Sequence, residues 1–142
     1  MTVIQSAQAL IKSCPHLSEF VQAIGGTYNP QIPSGYRIRA VSADPVIRRY
    51  ADGSSLRRCV FLFESSEAHP ADVIDAIQDS GFYEHFAAWL EQQAILGNLP
   101  ALEEGQHPVA LYCSSTGYSE ETGENSYQYR IECNLTYYQG GN

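Results

Sequence analysis

The sequence predicts an α+β domain, a largely antiparallel sheet with two main helices packed on one face. Three observations lead there. Phe82, Phe86, Trp89 and Leu90 recur at the i, i+4, i+7, i+8 spacing of one helix face. Tyr127, Tyr129, Ile131, Cys133, Leu135 and Tyr137 alternate with Gln128, Arg130, Glu132, Asn134 and Thr136, the period of a half-buried strand with one wet face. The order of elements along the chain, helix, strands, helices, strands, suits helices laid on a sheet rather than βαβ units.

Taken in order, Val3, Ala7, Leu10, Ile11 and Cys14 form the stripe of a first helix that ends near Pro15. Leu17, Phe20, Val21 and Ile24 suggest a short second helix, and glycines and prolines make residues 25–35 a loop. Tyr36–Val41 alternates as a strand, interrupted by Asp44-Pro45. Val46–Tyr50 runs into Asp52-Gly53, a turn signal between extended segments, and Leu56–Phe63 ends in an apolar run that suits a central strand. Asp72–Asp79 is a short helix with Val73, Ile74 and Ile77 inward.

The helix over 80–96 is the organising element. Asp79 or Ser80 can cap it, Gly97-Asn98 supplies a left-handed stop, and Pro100 blocks continuation. Its aromatic stripe, carrying several hundred Å2 of apolar surface, needs a broad, flat cover. Leu102–Pro108 is a loop, and Val109, Leu111 and Cys113 share one side of a following strand. Ser114–Asn125 reads as polar, with acids at Glu120, Glu121 and Glu124. The expected core includes Phe82, Phe86, Trp89, Leu90, Tyr129, Ile131 and Cys133.

At 142 residues the chain is one domain, with a helical N-terminal segment and loop over 1–35 and sheet and helices over 36–139. That length buries roughly two thirds of the unfolded surface, so no disulfide scaffold is needed. Cys14, Cys59, Cys113 and Cys133 show no metal-ligand spacing and no signal peptide precedes them, which points to synthesis in a reducing cytoplasm. No apolar run approaches membrane-spanning length.

The net charge of −8 is unevenly spread: residues 1–63 carry seven of the eight basic residues against three acids, a net of +4, and residues 64–142 carry thirteen acids against Arg130, a net of −12. Such a chain is poorly suited to wrapping phosphates. Oppositely charged regions suit a partner with complementary ends, including another copy of the chain.

Little in the sequence suggests chemistry. His16, His69, His85 and His107 are scattered and read as surface or capping residues. The strand cysteines read as small core hydrophobes, and Asp72, Asp75 and Asp79 as a solvated helix face. Neither nucleophile-elbow, phosphate-loop, dinucleotide nor zinc-protease patterns occur. A non-enzymatic domain with no metal and no cofactor is expected.

Several blocks carry a likeness: Arg48–Leu56 (RRYADGSSL), Ser80–Trp89 (SGFYEHFAAW), Gly97–Leu102 (GNLPAL), Tyr127–Cys133 (YQYRIEC) and Tyr137–Gln139 (YYQ). Together they resemble the tail-terminator proteins, also called minor capsid or tail-completion proteins, of siphophages and prophages of Gram-positive bacteria. The resemblance runs from about Tyr36 to Gln139. It implies a virion protein, made in the host cytoplasm, that acts in head–tail joining. Its homo-oligomer would be a hexameric ring closing the head-proximal end of the tail tube, with the tail tube protein and a head connector protein as partners and DNA as passive cargo. It also implies an α+β fold, no catalytic residues and no cofactor. A neck connector and a small ligand-binding domain are the alternatives.

Within this reading Asp44–Ser55 is expected to project as a hairpin arm. Arg48, Arg49, Tyr50 and Asp52 would touch a neighbouring subunit or the tail tube, with the arginines meeting carboxylates such as Glu120, Glu121 and Glu124.

Overall fold

The structure, a computed structural model, describes residues 1–141. The elements are α1 (Val3–Lys12), α2 (Leu17–Ala23), β1 (Tyr36–Ala40), β2 (Val46–Arg49), β3 (Ser55–Ser65), α3 (Ala71–Asp79), α4 (Phe82–Leu96), β4 (Gln106–Cys113), β5 (Tyr118–Gly123) and β6 (Ser126–Gln139). They form an α+β fold in which a six-stranded sheet runs in the order β1-β3-β6-β4. β2 lengthens the β1 edge by pairing with β3, and β5 lengthens the β4 edge by pairing with β6, every pairing being antiparallel.

Alternation gives the sheet two different faces. Phe61 and Phe63 of β3 lie opposite Cys133 and Ile131 of β6, and Leu111 of β4 lies opposite Leu135. These side chains form one buried cluster with Ala7 and Ile11 of α1, Phe20 of α2, Ile77 of α3, and Phe82, Phe86 and Leu90 of α4. Leu62, on the other face, is buried but stands outside that cluster.

Local chemistry sets the helix ends. Thr2 and Gln5 form a reciprocal capping box on α1, as the T-x-x-Q spacing allows. The N-terminus of α3 has a distant cap: its first N–H, from Ala71, donates to Asn125 Oδ1 in the β5–β6 turn, at 3.1 Å. Gly81 adopts a left-handed φ of 75° between α3 and α4, and the Ser80 hydroxyl accepts the Phe82 N–H at 3.2 Å. At the other end Gly97 is left-handed, its N–H donates to Ala94 and the Asn98 N–H donates to Gln93, the paired bonds of a Schellman stop.

Three expectations are corrected. Trp89 is half-buried rather than central. The ridge that meets the sheet is Phe82, Phe86, Leu90, spaced by four, and Trp89 lies on its flank. Val109 is 54% exposed, because a register shift between Pro108 and Ala110 puts an extra residue in β4 and removes it from the Leu111 side. Ser114–Asn125, read as polar, holds the strand β5, which is exposed at every position and so has no apolar period by which to be recognised as a strand. The expected wet face of β6 is partly covered, with Gln128, Asn134 and Thr136 buried, because strands flank β6 on both sides.

The cysteines are free thiols. Cys113 and Cys133 face each other across β4 and β6, and the neighbouring Cys113 thiol, together with burial, raises the Cys133 thiol well above its ordinary value. Burial pushes Cys14 up to about 11. Thiolates react and buried thiols do not, so Cys14 and Cys133 should stay unlabelled in native protein until denaturant is added. The half-buried Cys59 and Cys113 should react slowly. Peptide mapping that finds Cys14 and Cys133 modified within the first minutes would contradict this packing.

Candidate interaction surfaces

Topology separates the charges that the sequence only divides into halves. Arg37 and Arg39 on β1 and Arg48 and Arg49 on β2 occupy one edge of the sheet. Glu120 and Glu121 on β5, with Glu124 in the turn after it, occupy the opposite edge. Each edge also presents strand backbone without a further strand beside it among the described residues.

The β2–β3 hairpin is not a free arm. Arg48 pairs with Leu56 and Arg49 with Ser55, while β6 runs along the other side of β3 as far as the Ser55–Gln139 pair. The tip is therefore a corner of the sheet, and the expected projection is corrected to an exposed edge. Arg48 and Arg49 are exposed there beside Ile47 and Tyr50, 43% and 41% exposed. Asp52 acts within the turn itself. Its carboxylate accepts from the N–H and hydroxyl of Ser54, bonds that hold it below the usual carboxylate range and fix the turn.

The acidic edge is not uniform. Glu120 is ion-paired with Arg130 of its own chain, so it is already engaged. Glu121 and Glu124 have no cationic partner among the described residues.

Across the helix-free face, Arg37 and Arg39 of β1, Glu64 of β3, Arg130 of β6 and Glu120 of β5 form a ladder of alternating charge. Glu64 accepts from Arg37 Nε at 2.7 Å, Arg39 Nε at 2.9 Å and Arg130 Nε at 2.9 Å. Its carboxylate has 0% exposure although it belongs to the outer face, because the three arginine side chains cover it. Burial opposes its charge, but the three guanidinium bonds prevail and hold it below its usual value. Sequence reading missed Glu64, which looks like the polar end of an apolar strand. The one available signal was its alignment with basic residues on two other predicted strands.

Two histidines that sequence spacing scattered also converge. His16 at the start of α2 and His85 on α4 both face Glu19. His69 is held through backbone bonds to Tyr127, and the His107 ring lies 6.1 Å from that of Tyr138. A groove of about 440 Å3 between α1 and β1, bordered by Gln5, Gln8, Lys12, Tyr36 and Arg37, is lined by no carboxylate, histidine or cysteine. Among the described residues no helix is long and apolar enough to cross a membrane. Compared with known protein families and with curated proteins, the chain matches none.

Proposed function

We propose that this chain is a non-catalytic structural protein of a bacteriophage tail, a terminator that assembles head-to-tail into a ring at the head-proximal end of the tail tube. The observation that carries the proposal is the placement, on opposite edges of one sheet, of basic and acidic side chains that have no ion-pair partner among the described residues. A heterologous interface joins two different patches of the same subunit, and repetition about an axis closes a ring. Arg48 and Arg49 on one copy and Glu121 and Glu124 on the next supply such a pair, with Ile47 and Tyr50 as apolar contact at the basic edge. The resemblance of the Arg48–Leu56 block to tail terminators falls on that basic edge. The tail tube and a head connector are then the partners on the two faces of the ring, and DNA passes through it as cargo.

Negative-stain imaging of the purified protein, alone and mixed with tail tubes at moderate salt, tests the assignment. Rings, or caps at one end of the tubes, are expected. The double change Arg48→Glu and Arg49→Glu should alter folding stability by no more than about half a kcal/mol, since both residues are exposed. It should weaken assembly by setting like charges against each other. Normal rings and caps from the variant would remove this edge from the interface, and binding to head connectors but not tubes would reassign the protein to the neck.

A further inference from the structure

His16, Glu19 and His85 are brought together by packing that serves the core. On α2, Leu17, Phe20 and Val21 point inward, which turns Glu19 to the surface. Phe20 lies 5.2 Å from Phe82 at the start of α4, fixing the two helices where His85 comes round to Glu19. The His85 Nδ1 is 3.0 Å from Glu19 Oε2, and the His16 Nδ1 is 3.5 Å from the same oxygen. The imidazole centroids are 5.2 Å apart, and one donor atom from each of the three residues lies within 4.8 Å of the others.

We propose that His16, Glu19 and His85 form a binding site for a first-row divalent transition ion, with zinc as its representative. The chemistry of the donor set points there. Two imidazole nitrogens and one carboxylate oxygen are borderline ligands that suit zinc, cobalt or nickel, while calcium and magnesium take oxygen sets. Spacing agrees: ligands about 2 Å from a common ion stand about 3 to 3.5 Å from one another, so the two contacts to Glu19 already have that separation. The imidazole nitrogens lie within 4.8 Å of each other, and both rings are partly exposed.

The three side chains are 35%, 32% and 49% exposed, so an aqueous ion reaches them and water can complete the coordination. Glu19 and His85 are 66 residues apart in sequence, so an ion held between them would clip α2 to α4. The site is independent of the edge-to-edge assembly proposed above.

Isothermal titration of the full-length chain with zinc chloride, followed by thermal melting, tests the site. One ion per chain at micromolar affinity is expected, with a melting temperature that rises as zinc increases. Either His85→Gln or His16→Gln should weaken binding at least tenfold, while His69→Gln together with His107→Gln should leave it unchanged. Cobalt should bind without thiolate-to-metal absorption, which separates this site from the four cysteines. Absence of binding at submillimolar zinc, undiminished binding in His85→Gln, or a thiolate band with cobalt would each overturn the proposal. Should His85→Gln fold poorly, His16→Gln at the surface end of α2 provides the same comparison.

Discussion

Phe63→Ala is expected to destabilise the protein by about 3 to 5 kcal/mol, the range for deleting a fully buried aromatic ring. Phe63 has no exposure, and its ring meets those of four neighbours: Phe20 of α2 at 5.1 Å, Tyr36 of β1 at 5.3 Å, and Phe82 and Phe86 of α4 at 5.2 and 5.1 Å. The ring therefore links the central strand to two helices and the edge strand. These partners sit on separate elements that are themselves packed, so they can collapse into the vacated space only in part, and the cavity term adds to the lost transfer energy. Urea unfolding should show a lower midpoint with an unchanged slope, since the same surface is exposed on unfolding. Trp89→Ala should cost less, because that ring is half-buried on the flank of α4. A Phe63→Ala loss below about 1 kcal/mol would mean that this contact does not hold the helices to the sheet.

What could be read in advance follows from where apolar pattern exists. α4 and β6 were legible because each has a sustained period and identifiable ends, and Phe82, Phe86, Leu90, Tyr129, Ile131 and Cys133 are all in the core. β5 was not, because an edge strand with no buried side chain carries no hydrophobic alternation and is defined only by its hydrogen bonds to β6. Val109 misled because one bulge reverses strand parity, and no composition signal marks it. The charge halves of the sequence were visible. Their placement on opposite edges was not, since it depends on β3 and β6 being central. The groups with the most specific chemistry, Glu64 with three arginines and the His16–Glu19 pair with His85, are completed by residues far apart in the chain. Spacing within one element finds the His16–Glu19 pair but neither His85 nor the arginines around Glu64.

Glu64→Gln is expected to cost about 2 to 3 kcal/mol at neutral pH and progressively less in acid. The substitution keeps the shape of the side chain but removes its charge and leaves one acceptor oxygen where the carboxylate has two. Oε1 takes Arg37 and Arg39 and Oε2 takes Arg130, so one side loses its acceptor to an NH2 group. Bonds to a charged partner are worth about 1.5 to 3 kcal/mol each, not additive around one acceptor. Rehydration limits the loss. Arg37 and Arg39 are 50% and 45% exposed and regain water, and Arg130, at 16%, keeps its pair with Glu120. Replacing Arg37, Arg39 and Arg130 together by methionine should cost more, about 3 to 5 kcal/mol, because it strands a carboxylate that has no access to solvent. The pH dependence gives the sign test. The folded-state value of Glu64 lies below its ordinary 4.5, so unfolding takes up a proton in the interval between the two. Its contribution is complete above pH 4.5 and is lost as pH falls through the folded value. The stability difference between wild type and Glu64→Gln should therefore be flat from neutral pH to about 5 and shrink below 4.5. A difference that persists undiminished at pH 2 would assign the effect to packing, and no difference at pH 7 would show that the arginines decorate this face without holding it.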